Sequence, residues 1–398
     1  MITQEELYRS ESECCGCGSC ADVCPKAVLS MKADKSGFLY PAVEHEDLCS
    51  DCRLCTSVCP EKNYGKIDSG FTNYYAGYLE DETELITCAS GGLATAMSRK
   101  FIRDGGAVYG CSYSKDWKSI EYIRVTDEAE LDRLKTSKYA QSVKGHVYHQ
   151  ILEDLNSGKS VLFIGLPCDV LAVRTRVPLT LQNSLYLVEL VCHGPTSQDV
   201  HRQYIDKIGA GSALLYFSTR EKKGGEWRPF YICARYEDGN TFHELFHKSS
   251  YGAAFRYLKR PSCYACRIKG RHLAGDIMIG DYHYVEEGMK GYNRHGVSSV
   301  LVHNSRGAAL LAGIESVGFK LVEINARGAL GNGAITKAIA APEGHDEFRK
   351  VFEAEGLEKA ADLGFVKRSY FQRALKEKVK RCGVKVKRFL IPSSRPRD

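Results

Sequence analysis

The chain has 398 residues, 43% of them hydrophobic, enough for two or three domains with a real core, so disorder is not the default. Its 17 cysteines cluster at short spacings, which argues against a small disulfide-stapled secreted scaffold, and the polar start MITQEELYRS shows no secretory pattern; a reduced, cytoplasmic protein is expected. Apolar runs such as VLFIGLP fall far short of the roughly 18 residues of a membrane span, and the net charge of +6 arises in residues 367–398, where twelve Lys and Arg face two acids and leave the remainder near −4.

The first feature in chain order is CCGCGSCADVCP at residues 14–25. Counting from Cys14 gives Cys14-x2-Cys17-x2-Cys20-x3-Cys24-Pro25, and the spacing recurs as Cys49-x2-Cys52-x2-Cys55-x3-Cys59-Pro60. This run holds 4Fe-4S clusters: three thiolates wrap one cluster and the fourth cysteine ligates the other. The expected ligand sets are Cys14, Cys17, Cys20 and Cys59, and Cys49, Cys52, Cys55 and Cys24. Counting from Cys15 breaks the shared register, so Cys15 reads as a small residue packed beside the cluster. Structural zinc also accepts paired CxxC thiolates, but it needs four ligands per ion and rarely ends in Cys-Pro. Residues 1–66 are expected to form a bacterial-ferredoxin-like domain.

A change of composition places a boundary near residues 66–74, followed by a mixed α/β domain over 74–345 and a basic helical tail over 346–398. The fold class is thus multidomain, α+β followed by α/β. Within CASGGLATAMSRKFI, residues 88–102, Ser90, Gly91 and Gly92 precede an apolar helical pattern; such a turn either caps the helix or brings backbone N–H groups to a phosphate. SVLFIGLPC at 160–168 and SLYLVELVCHG at 184–194 read as buried parallel strands that each end in a cysteine. RPFYICARYEDGNTFHELF suggests a hairpin around Asp238-Gly239-Asn240. Cys168 and Cys192 face one crevice if both strands end there, and the CxxC pair Cys263 and Cys266 adds two thiolates for a third metal site; buried core cysteines are the alternative. GDIMIGDY at 275–282 and SSVLVH at 298–303 read as strands, and SRGAALLAGIESVG as an amphipathic helix.

The stretches ASGGLATA, TSKYAQS, FIGLPCDV, LVCHGPTS, SCYACRIKG and DIMIGDY, in that order over roughly residues 74–310, resemble the beta subunit family of coenzyme F420-reducing hydrogenase and formate dehydrogenase. The resemblance implies bound FAD, a hydride carrier such as the deazaflavin F420, and a third 4Fe-4S cluster on Cys168, Cys192, Cys263 and Cys266. It implies flavin contacts at Ser90, Gly91 and Gly92 for the pyrophosphate. It also implies a cation at Lys138, the candidate catalytic residue, beside flavin or substrate, which otherwise reads as a solvated lysine. Gln141 and Ser142 are expected to add hydrogen bonds and His193 to tune the neighbouring cluster. Cys88, Cys111, Cys233 and Cys382 match nothing in the pattern.

The function expected is two-electron to one-electron conversion between a hydride carrier, FAD and the clusters. The alternatives are a relay subunit with a degenerate flavin domain, or a reductase recruited to cell-surface polysaccharide modification. The expected partners are a redox protein or a small-molecule hydride carrier, with no nucleic acid; the basic tail offers a dock for an acidic partner or an anionic membrane surface.

Overall fold

The computed structural model describes residues 1–63, 70–209, 211–269 and 274–370. In the N-terminal module each cysteine run wraps a loop and then enters a short helix, Ser19–Asp22 or Leu54–Ser57. The two copies share their backbone as well as their spacing. Gly16 and Gly18 take φ of 68° and 75°, and Asp51 and Arg53, at the matching places of the second loop, take 56° and 60°. Glycine enters that left-handed region freely, whereas Asp and Arg do so only when the fold compels it. Between the loops, β1 (Leu29–Ala33) and β2 (Leu39–Val43) pair antiparallel.

The larger body is built on an eight-stranded sheet of β3 (Asn73–Leu79), β4 (Ala107–Tyr113), β5 (Ile120–Val125), β6 (Val161–Gly165), β7 (Leu185–Leu190), β11 (Ile277–Asp281), β12 (Ser298–Val302) and β13 (Phe319–Glu323). The spatial order is β13-β3-β12-β11-β7-β6-β4-β5. Its centre, β11-β7-β6-β4, is parallel, and both flanks pair antiparallel. Every residue of β6 is buried, as the unbroken apolar run VLFIG requires of a strand covered on both faces. A second sheet, β10-β9-β8, is formed by β8 (Leu214–Glu221), β9 (Tyr231–Tyr236) and β10 (Thr241–Leu245), with the β9–β10 hairpin turning at Gly239, φ 83°.

Three expectations need correction. The strand expected over 160–168 ends at Gly165, and Cys168 sits in the first turn of the helix Pro167–Arg176, because Pro167 is preorganised for a helix start. The helix expected over 305–318 stops after Leu311; Gly313, at φ 69°, breaks it before a separate turn at Ile314–Val317. The first part of the expected tail is body: the helices His345–Glu355 and Leu357–Ala361 bury Phe348, Phe352, Leu357 and Ala360 in one core with Phe38 and Tyr257. The i, i+4 apolar face is short, Phe348 and Phe352 among charged residues of both signs. Residues 371–398, which carry most of the basic charge, lie outside the described residues.

The ferredoxin-like module is fastened to the body by a buried guanidinium. Arg260 is 1% exposed and donates to Cys14 O (3.0 Å), Leu39 O (2.5 Å) and Gln141 Oε1 (2.9 Å), while its charge stands 4.2 Å from the centre of the Tyr40 ring. Gln141 completes the clasp, donating to Gly16 O at 2.9 Å and accepting from Leu39 N at 3.3 Å. Arg349 adds a second tie through Glu11 and Asp34. Arg260→Met strands these acceptors at a cost of about 1–3 kcal/mol each. It should lower the unfolding midpoint and release iron first from the Cys14 loop; unchanged iron retention and stability in chelator challenge would contradict this account of the joint.

Candidate redox site

The chain crossing puts the eight ferredoxin cysteines into two hollows. Cys14, Cys17, Cys20 and Cys59 line one, with Cys15 beside them, and Cys24, Cys49, Cys52 and Cys55 line the other, with Cys55 bordering both. Each hollow thus brings together the four cysteines of one expected set, the fourth coming from the opposite motif. The donors are all thiols, the set that iron–sulfur clusters take. Burial pushes the Cys14 thiol up to about 12 and Cys59 up to about 11, and the neighbouring thiols push in the same direction. Iron offsets that penalty, since a metal-bound thiolate is deprotonated outright. Cys52 is exposed, so the second hollow lies at the surface.

Cys168, Cys192, Cys263 and Cys266 also come together. Cys192 lies just beyond β7, Cys263 in the short helix Pro261–Tyr264, and Cys266 after it. Each of these three is raised by burial, Cys192 to about 11, with further upward pressure from its companions in the group. Gly194, at φ 82°, lets the backbone pass closely: a Cβ there would sit 3.1 Å from Cys263 Sγ. The Gly194 N–H donates to Cys192 Sγ at 3.2 Å, and Lys259 donates to Gly194 O at 2.8 Å. Cys15 stands between the groups, hydrogen-bonded to both Cys17 and Cys168. Sequence reasoning placed it beside the cluster; its contact with the third group had no signal except the doubled cysteine. Beneath them Lys144 pairs with Asp169 at 2.9 Å, both buried.

A cavity of about 950 Å³ opens against this third group, with Cys192 and His193 in its wall. Ser90, Gly92, Lys138 and Ser142 line it too. The helix Leu93–Arg103 begins at the cavity with no side-chain cap, leaving its first N–H groups and the positive end of its dipole toward the space. Gly92, at φ 84°, makes that start possible. Lys138 donates to Arg133 O (3.1 Å) and Lys135 O (2.5 Å), and burial pulls its pKa down to about 7. Arg220 pairs with Asp281 at 3.0 Å and lies against the Tyr139 hydroxyl, with no closely aligned partner for its buried Nε and Nη2. Among the described residues Asp281 is the one carboxylate of the lining, set against Lys135, Arg228, Arg256 and Lys259 besides Lys138 and Arg220. Burial, aided by Lys269 and Lys259, lowers His193 to about 4, so it is neutral near pH 7.

Two expected flavin contacts lie elsewhere. Gly91 packs into protein, where a Cβ would meet Gly77 O at 2.2 Å, so its smallness serves the close passage of the turn over β3. Gln141 spends its amide on the Arg260 clasp, outside the cavity lining. Arg220, Arg228 and Lys259 were missed, because a cation in a strand or loop carries no spacing signal until the fold turns it inward. An uncapped helix start, a buried guanidinium in the wall and a surplus of cations fit a ligand with a pyrophosphate, as FAD has.

The paired cysteine sets define an iron–sulfur protein suited to electron transfer. A family model for the C-terminal part of the coenzyme F420 hydrogenase/dehydrogenase beta subunit matches residues 158–326, and one for a 4Fe-4S dicluster domain matches residues 13–63. Residues 158–326 thus match that beta subunit family, and the dicluster match lies ahead of them. It is 24% identical over 257 residues to the coenzyme F420-dependent sulfite reductase of Methanocaldococcus jannaschii, covering 56% of this chain and 39% of that protein. It is 21% identical over 203 residues to one of the subunits of the F(420)H(2) dehydrogenase of Methanosarcina mazei, 49% of this chain and 56% of that protein. The chain therefore spans well under two thirds of the length of each. A chain of the F420-reducing NiFe hydrogenase complex from Methanosarcina barkeri superposes with a TM-score of 0.45 at 16% identity, over 74% of this chain and 91% of that one. Among the described residues no helix is long and apolar enough to cross a membrane.

Two neighbouring thiols should behave differently. Cys15→Ala is expected to keep its iron, whereas Cys14→Ala should lose on the order of four iron per chain; the reverse result would shift the register by one residue. The Lys138 ammonium, present below about pH 7, should aid binding of a phosphate-bearing ligand. Affinity for such a ligand, measured by equilibrium dialysis, should fall as pH rises through that value, and Lys138→Gln should flatten the dependence. Identical profiles would remove Lys138 from the ligand site.

Proposed function

We propose that this chain is a flavin- and iron–sulfur-dependent oxidoreductase that converts a hydride into single electrons. The observation that carries the reading is the shared wall. Cys192 belongs both to the cysteine group with Cys168, Cys263 and Cys266 and to the lining of the cationic cavity. A ligand there lies against a set of thiols suited to a third 4Fe-4S cluster.

FAD, when bound, supplies the step between hydride and single electrons. The uncapped helix start at Leu93, with Arg220, would hold its pyrophosphate, and Lys138 would set a positive charge over the remainder of the site. The neutral ring of His193 faces the same space and offers a hydrogen bond without adding charge. Ser142 is partly committed, since its Oγ accepts from Lys144 Nζ at 2.9 Å. Electrons would then pass from the Cys168 group, by way of Cys15, to the set with Cys14 and on to the surface set with Cys49. The hydride carrier is proposed to be a deazaflavin of the F420 kind, as named for the relatives. The exposed cysteine loop at Cys52 is the proposed contact for a redox partner protein.

Protein purified anaerobically should carry about 12 iron, about 12 inorganic sulfide and about one acid-releasable FAD per chain. About 8 iron with no flavin would make the chain a two-cluster relay instead. Cys263→Ala should remove about four iron and slow electron transfer from reduced FAD to an external one-electron acceptor, while hydride reduction of FAD persists. Unchanged iron in that variant would leave the third group as ordinary core cysteines.

A further inference from the structure

The outer face of the small sheet carries a side-chain group that the redox path does not use. Cys233 of β9 stands directly across from His243 of β10, and Glu221 closes β8 beside them. Cys233 Sγ, a His243 ring nitrogen and a Glu221 carboxylate oxygen all lie within 4.8 Å of one another.

The strand period accounts for two of the three. Along β9, Tyr231, Cys233 and Arg235 share one face, while Ile232 and Ala234 point the other way into the core with Phe217 and Tyr251. Glu221 reaches the Cys233 face through a bulge: Ser218 pairs with Cys233, yet Glu221 rather than Arg220 pairs with Tyr231. In unbroken register Arg220 would stand opposite Tyr231. The extra residue instead sends Arg220 to Asp281 and the cavity wall and turns Glu221 over Cys233. One irregularity thus serves both faces of the strand.

We propose that Cys233, His243 and Glu221 bind a zinc ion, with a fourth position open to water on the exposed side of His243. Thiolate, imidazole and carboxylate together suit a borderline-soft cation and disfavour magnesium or calcium. Zinc bond lengths of about 2.0–2.3 Å place tetrahedral donors about 3.3–3.8 Å apart, so side-chain rotation closes the present spacing. The carboxylate is already oriented, since Tyr216 donates to Glu221 Oε2 at 3.0 Å and Arg235 to Oε1 at 3.1 Å. Hydrogen bonds of that kind hold ligating carboxylates in place. Thiolate and carboxylate neutralise the dication; Arg235, bonded to both Cys233 and Glu221, would keep its bond to the carboxylate and yield the thiolate to the ion, with Lys223 nearby. Cys233 is 0% exposed, yet polar groups stand over it, a setting unlike that of an apolar core cysteine. The bound ion pins all three strands, including the bulge that aims Arg220.

The test is metal analysis of the full chain, purified anaerobically, given one equivalent of zinc chloride and desalted. About one zinc per chain should remain in addition to the iron, and zinc-edge X-ray absorption should show a single sulfur at about 2.3 Å with nitrogen or oxygen neighbours. His243→Ala, at an exposed position, and Cys233→Ser should each weaken zinc binding at least about tenfold. Iron counted in the same samples should not change, which separates this site from the clusters and from the flavin reading. Wild-type protein with full iron and no zinc would overturn the proposal. So would equal zinc in the variants, or a sulfur-rich shell that puts the ion among the ferredoxin cysteines.

Discussion

The buried guanidinium of Arg260 is the contact on which the redox architecture depends. It immediately precedes Pro261 and the CxxC pair of the third cysteine group, and it reaches across to carbonyls of the Cys14 loop and of β2. No carboxylate faces it in these bonds; its charge is spread over carbonyl oxygens and the Tyr40 ring. A guanidinium suits such a place because its rigid fork offers several donors at once and is less strongly hydrated than an ammonium. One side chain therefore fixes the spacing between two cysteine groups that lie far apart in sequence. Cys15 fills the remaining gap, in hydrogen-bonding contact with Cys17 and Cys168.

The electrostatics fall into two regions. Around the thiols, burial disfavours ionisation until iron is present, which couples cluster insertion to the final packing of the loops. In the cavity the sign is reversed: lysines and arginines surround Asp281, and burial lowers Lys138 to about 7 and Lys259 to about 8. These cations cost stability while the space holds only water, and an anionic ligand offsets that cost. The arrangement thus favours an anionic ligand at the end of a chain of thiol groups.

The parts of this design written in local spacing were legible in the sequence. The cysteine sets followed from a repeated run in which a shift of one residue destroys the match, and the strands at 161–165 and 185–190 followed from apolar runs, the second broken only by Glu189. What spacing does not record was missed. Gln141 looked like a ligand contact because it lies in TSKYAQS, but its amide is claimed by a loop 125 residues earlier. The helix over 345–355 was expected as helical, but its packing into the core was missed, since its buried face is only two phenylalanines deep. The turn of Arg220 into the cavity depends on a single extra residue in β8, which only the pairing of β8 with β9 reveals.

The most direct test of the proposed electron path is the order in which the clusters reduce. Fully oxidised, flavin-loaded protein would be mixed with a hydride donor under anaerobic conditions, frozen at successive times and examined by electron paramagnetic resonance. Comparison with Cys263→Ala and Cys14→Ala assigns the signals. The account predicts that the signal lost in Cys263→Ala rises first and that those of the ferredoxin-like sets follow. Simultaneous or earlier reduction of the ferredoxin-like sets, with the Cys263-dependent signal lagging or absent, would contradict it.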